Sequence, residues 1–286
     1  MKTEIADKDT YEIHFDSAMD ILDERPSTSD NERLDRRAMR AGGDAWTRTK
    51  DYDTFRQIIN GGASAFMADV MAKADQITVP FELSQSLINV TKRRRVRRDS
   101  GDELDFDAWR RGDIDTAWET TQRVLVEAHR TRAACVFINL VANSNITPYQ
   151  MEWRTAAVIK VVEALTAANW ALEIVVGATC HGAYRNGPKR LAITFTAKPS
   201  NMPLSIERLA LQSSAAWFRY CVFKAMAANA KRFDLTEYYG RASYSERPDY
   251  INRMAERGYR IIEVPATAMS AIGAQAAVTA TLKEVM

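Results

Sequence analysis

Three histidines (His14, His129, His181) and three cysteines (Cys135, Cys180, Cys221) are the side chains of this 286-residue chain best suited to proton transfer, nucleophilic attack or metal ligation. No histidine stands at the short spacing from a second imidazole that a zinc site uses. Cys180 and His181 adjoin, but neighbours on an extended backbone point to opposite sides. That pair reads as a core thiol beside a surface histidine. The phosphate-cradling Gly-x-x-x-x-Gly-Lys-Ser/Thr, the dinucleotide Gly-x-Gly-x-x-Gly and the hydrolase Gly-x-Ser-x-Gly patterns do not occur. The sequence therefore assigns no catalytic residue, no metal ligand and no cofactor, and leans away from an enzyme.

Binding chemistry gathers in three places instead. The polar loop with Asn143, Ser144, Asn145 and Thr147 follows an apolar run, where the strands of open α/β sheets end and ligands collect. Tyr238, Tyr239 and Arg241 have the anchor chemistry of protein interfaces. Residues 92–98 put Lys92, Arg93, Arg94, Arg95, Arg97 and Arg98 into seven positions, which alone would read as a nucleic-acid contact. Asp99, Asp102, Glu103, Asp105 and Asp107 follow at once, across a turn at Ser100-Gly101. A hairpin that sets these acids against the cations would cancel their field. Trp109 and Trp118 read as core anchors, the second within a helical stretch at 113–132.

The elements that must position these residues follow from periodicity. Residues 11–15 alternate as a strand does, and 16–22 suit a brief helix closed by Pro26. Helical patterns at 52–59 and 64–74 are separated by Gly61-Gly62. Cys135-Val-Phe-Ile-Asn-Leu-Val-Ala142 is nearly unbroken apolar sequence, the mark of a strand buried on both faces. A helix at 151–168 and an apolar strand at 170–178 complete a strand–helix–strand unit, which implies parallel pairing. The interval before the next strand, 190–196, has no room for a helix, so that strand must be an antiparallel edge. A long helix at 205–230, a polar loop at 240–248, a strand at 258–264 and a closing helix at 269–285 end the chain. Three segments result: an acidic, polar N-terminal arm at 1–50, an α-rich preface with the charged hairpin at 51–130, and a layered α/β domain at 131–286.

Composition bounds the rest. With 46% hydrophobic and 27% charged residues the chain is globular rather than disordered. Net charge is only +2, yet residues 1–35 hold eleven acids against four bases, so the arm is acidic and the body basic. The arm is expected to be solvated. Residues 1–10 are polar, unlike a secretory leader, and the cysteines lie apart in apolar surroundings. Both features point to a cytoplasmic location.

The order of central strand, polar loop, helix, parallel strand, antiparallel edge strand and long helix resembles the von Willebrand factor A fold. At residue level, Trp153-Arg154 through Leu165, followed by Asn169-Trp170 through Glu173 and Val176, is similar to a prokaryotic and phage family of degenerate domains of this kind. Tyr52, Phe55, Gly61, then Gly101-Asp-Glu-Leu-Asp105, Gly112 and Trp118 are similar to that family's preface, so the likeness spans roughly residues 50–285. A metal-binding domain of this fold carries Asp-x-Ser-x-Ser after its central strand. Here Asn139, Val141 and Asn143 stand in those positions and supply no carboxylate for a hard cation. The resemblance implies a non-catalytic adaptor, phage-encoded and acting in the host cytoplasm, that partners a MoxR-type AAA+ ATPase. A virion structural or assembly component is the alternative, and a nucleic-acid binder using Arg93, Arg94, Arg95, Arg97 and Arg98 a second one.

Overall fold

The strand patterns at 11–15, 135–142, 170–178 and 190–196 all enter one sheet. The computed structural model describes residues 2–6, 10–24, 47–61, 64–80, 91–98, 100, 103–125, 132–141, 146–181, 190–232, 241–242 and 247–285. Its first elements are β1 (Lys2–Ala6), β2 (Thr10–Phe15), α1 (Ala18–Leu22), α2 (Tyr52–Gly61) and α3 (Ser64–Ala74). Then come β3 (Thr91–Arg98), β4 (Glu103–Leu104), α4 (Phe106–Arg110), a 3-10 turn at Ile114–Thr116 and β5 (Trp118–Leu125). The α/β unit follows as β6 (Ala133–Asn139), α5 (Pro148–Ala167), β7 (Ala171–His181) and β8 (Arg190–Lys198). Next are α6 (Ile206–Gln212), α7 (Ala215–Trp217), a π turn at Phe218–Val222 and α8 (Phe223–Arg232). The last elements are β9 (Arg241–Ala242), α9 (Asp249–Glu256), β10 (Arg260–Glu263) and α10 (Ala271–Val285).

The result is a mixed seven-stranded sheet in the order β1-β2-β8-β7-β6-β10, with β9 beside β7. The β6–β7 and β6–β10 pairs are parallel and β7–β8 is antiparallel. The antiparallel strand at 190–198 is not an edge, however. β2 lies along its other side, in parallel, with Ile13 opposite Ile193. The expected solvated arm is corrected at the same point: β1 and β2 are strands of the sheet, and Tyr11, Ile13 and Phe15 are buried in its core. Nothing local to 1–15 announces this, because the partner strand lies far along the chain.

One sheet face carries Ala134, Val136, Ile138, Leu172, Ile174, Val176, Leu191, Ile193 and Phe195 into the main core. α5 covers it with Val158, Val162 and Leu165, joined by Leu209, Trp217, Met226, Val278 and Leu282 from the other helices. The opposite face packs Cys135, Phe137 and Val175 against Ile251 and Met254 of α9. Cover on both sides explains the unbroken apolar run in β6. Gly177 is required where β7 crosses Thr194, since a Cβ there would stand 2.5 Å from the Ile193 carbonyl oxygen.

Three further expectations are revised. Residues 118–125 form a strand rather than a helix, in keeping with the β-branched Thr120, Thr121 and Val124. The basic segment pairs with that strand and not with the acids after it, giving a separate sheet in the order β3-β5-β4. The preface is therefore mixed α and β. The long helix is interrupted at Ser213-Ser214: the Ser213 hydroxyl donates to the Leu209 carbonyl at 2.6 Å, and the Ser214 hydroxyl caps α7 by accepting from Trp217 N. Within the described residues no helix is long and apolar enough to cross a membrane.

Candidate functional site

Parallel pairing brings the ends of β6 and β7 and the first turns of α5 and α10 to one end of the sheet. Asn139 closes β6, and its buried side-chain oxygen accepts from Val141 N at 3.0 Å. The Arg154 guanidinium, itself 3% exposed, donates through Nη1 to the Asn139 carbonyl at 2.8 Å and the Val141 carbonyl at 3.2 Å. A cation thus sits directly under the start of the candidate loop. Thr147 is committed to the helix. Its hydroxyl accepts from Gln150 N at 3.3 Å while the Gln150 side chain accepts from Thr147 N at 2.8 Å, a closed capping box. Asn143, Ser144 and Asn145 lie outside the described residues, as do Tyr238 and Tyr239. Arg241 falls in β9 opposite His181, so it is carried to the same end of the sheet as the loop.

Two large side chains missed in the sequence are exposed at this end: Tyr149 at 55% and Ile272 at 85%. Tyr149 is held in place. Its ring stands edge-on to Trp153 at 6.3 Å, and the Lys73 ammonium lies 4.5 Å from its centroid. Lys73 and Arg48 both bind Glu152 at 2.7 Å, and Arg48 also pairs with Asp69. Beside this network a cavity of about 10 Å³, lined by Arg48, Met151, Glu152, Thr155 and Ser214, has room for no more than one water.

The second polar constellation lies under α9 on the opposite sheet face. His14 is 1% exposed. Its Nδ1 is 3.0 Å from the Thr194 hydroxyl and its Nε2 is 3.2 Å from the Thr196 hydroxyl. Its ring stacks on Tyr250 with centroids 3.4 Å apart. Burial holds it neutral, with its pKa down at about 3. Glu12 accepts from the first amides of α9, Asp249 N at 2.5 Å and Tyr250 N at 3.0 Å. Burial still lifts its pKa to about 7, with those amides pulling it back. Arg190 pairs with Asp249 at 3.0 Å. Burial also raises the Tyr250 hydroxyl to about 12, and the thiols of Cys135 to about 12 and Cys180 to about 11. At neutral pH these thiols stay protonated and unreactive. Glu12 and His14 therefore seat α9 on the sheet and are sealed from any substrate. The signal for them was present in the sequence, as polar residues alternating at 12 and 14 and again at 194 and 196, but the helix that gives it meaning was not seen. α9 falls in the stretch left between a polar loop and the last strand, marked only by Pro248 and by Ile251 and Met254 at i, i+3.

The remaining expected site residues are placed as follows. Arg93, Arg94, Arg95, Arg97 and Arg98 lie in β3. Trp109 is not a core anchor: it is 52% exposed, and Phe106 on the same short helix is 66% exposed. His129 lies outside the described residues.

Comparison with known proteins gives one match, to a family model described as a domain of unknown function (DUF7192), over residues 2–283. The chain belongs to the DUF7192 family. No curated protein and no solved structure matches it. The DUF7192 match opens at β1 and closes inside α10, so the N-terminal strands and the small sheet lie within the same family unit as the α/β core.

Proposed function

We propose that this chain is a non-catalytic adaptor that presents the β6–β7 end of its sheet to a protein partner. The observation that supports this most is the contrast at that end: Tyr149 and Ile272 are exposed there, while His14, Glu12, Cys135 and Cys180 are locked inside the protein. Exposed aromatic and aliphatic side chains on a rigid scaffold suit an interface. The order of β6, α5, β7 and β8 supports a von Willebrand-A-like core, and Arg154 supports one that works without a metal. A divalent cation ~5 Å from a guanidinium meets about 7 kcal/mol of repulsion at an effective dielectric constant of ~20. A MoxR-type AAA+ ATPase is the proposed partner, in a phage or prokaryotic setting.

The test uses the purified chain with a photo-crosslinking residue at 149 or 272 and a purified MoxR-type ATPase from the same genome. A nucleotide-dependent crosslink is expected, and Tyr149→Ala with Ile272→Asp should weaken the complex about tenfold or more, the size of an interface hot spot. No complex by sedimentation, or equal binding by the double variant, overturns the proposal.

A further inference from the structure

We propose that β1 is a pairing edge for a second copy of this chain, joining two sheets antiparallel about a twofold axis at Thr3. The proposal is independent of the adaptor reading, since β2, β8 and β7 stand between β1 and β6. β1 is an outer strand whose partner among the described residues is β2, in an unbroken register from Lys2 opposite Phe15 to Ala6 opposite Tyr11. Lys2, Thr3 and Glu4 are exposed, so solvent reaches this edge. Sheet edges are ordinarily guarded by proline, by a bulge or by charge that repels an incoming strand. β1 has no proline and no bulge. The other outer strand, β10, is sheltered: α9 and α10 both pack against it, and Arg260 donates to the Glu284 carbonyl of α10.

The charges on β1 decide the occupant. Residues directly opposite in an antiparallel pair lie on the same face of the sheet. A twofold axis normal to the sheet keeps each residue on its own face, so the axis must pass through a residue and not between two. Thr3 and Glu4 are the two centres in the middle of the strand. Centred on Glu4, the carboxylate opposes its own copy while Lys2 meets only Ala6, which repels. Centred on Thr3, Lys2 opposes Glu4 of the second copy and Glu4 opposes its Lys2, which gives two cross-strand ion pairs. Within one copy Lys2 and Glu4 already lie on a common face, 3.6 Å apart, with side chains 36% and 30% exposed. Lys2 also reaches Glu24 at 3.2 Å, which holds its ammonium beside the edge. The strand is thus complementary to itself in one register. A five-residue strand offers only ~17 Å of shared edge, so the pair belongs to the transient class that buries less than ~1,200 Å².

The experiment is sedimentation velocity of the purified chain from about 1 μM to about 1 mM, the range a transient contact occupies. The sedimentation coefficient should rise toward that of a dimer and go no further, because a twofold contact closes on itself. Lys2→Glu and Glu4→Lys should each weaken the dimer about tenfold, since both cross-strand pairs turn repulsive. Combined, the two reversals should restore the parent's affinity, which no role confined to one copy predicts. The melting temperature at low concentration reads the lost Lys2–Glu24 contact separately. Thr3→Cys should form a disulfide to its own copy under mild oxidation, while Cys135, Cys180 and Cys221 stay silent in the core. Three results overturn the proposal: a monomer at every concentration, a dimer indifferent to the single reversals or not recovered by the double one, or no crosslink through Thr3→Cys.

Discussion

Glu12 and His14 sit two residues apart on β2, and burial moves their pKa values in opposite directions, which makes their pH effects nearly invisible together and large apart. Glu12 rises from 4.5 to about 7, so the folded state keeps a proton that the unfolded state releases. Its contribution favours folding below 4.5 and is lost as pH climbs to about 7. His14 falls from 6.5 to about 3, so its contribution is intact above 6.5 and is lost as pH drops toward 3. Between 4.5 and 6.5 the two slopes, each about 1.4 kcal/mol per pH unit, cancel. Glu12→Gln removes one of them. Between pH 6.5 and pH 4.5 the variant should lose about 3 kcal/mol more than the parent does. The substitution also weakens the contacts to Asp249 N and Tyr250 N, a pH-independent offset of about 1–3 kcal/mol that shifts the curve without changing its slope. His14→Gln should show the mirror image, a stability that declines as pH rises from 4.5 to about 7. Urea unfolding followed by tryptophan fluorescence across this range measures both. A Glu12→Gln profile parallel to the parent's would refute the reasoning.

Gly177→Ala should cost about 1–3 kcal/mol by overpacking, because Ile193 O and Thr194 leave no space for a methyl group, and should appear as a lowered denaturation midpoint. Cys135, Cys180 and Cys221 are all buried. Ellman's reagent should therefore modify them only at the rate of opening, rising steeply in sub-denaturing urea, whereas a rapid stoichiometric burst in buffer would contradict their burial.

Short-range patterns were legible where one element's periodicity decided the outcome. The unbroken run of β6, the helix of α5 and the antiparallel turn into β8 could all be read because each depends on neighbours in sequence. Pairing across distance could not. Tyr11, Ile13 and Phe15 announce a strand but not its partner, so the sheet's apparent edge at β8 was covered by residues read as a solvated arm. Proximity misled at 92–107, where opposite charges suggested a hairpin and the β-branched Thr120 and Thr121 supplied the actual partner strand. Trp109 was assigned to the core on residue type alone, which is a weak guide for a ring on a five-residue helix. Of the candidate end of the sheet, Thr147 is a helix cap, Arg241 lies on the short β9, and Asn143, Ser144 and Asn145 lie outside the described residues. Tyr149, Ile272 and the guanidinium of Arg154 required the fold.

The insertion of β2 beside β8 also sets a timetable for synthesis. His14 and its partner Thr194 are 180 residues apart. At about 5–20 residues per second, a ribosome needs roughly 10–40 s to supply that partner. Throughout that interval β2 has only β1 to pair with, and Tyr11, Ile13 and Phe15 have no core to enter. Closure of the sheet is then a late, high-contact-order event. A shortened chain lacking β1 and β2 would meet the converse problem, with the apolar flank of β8 open to pairing between molecules.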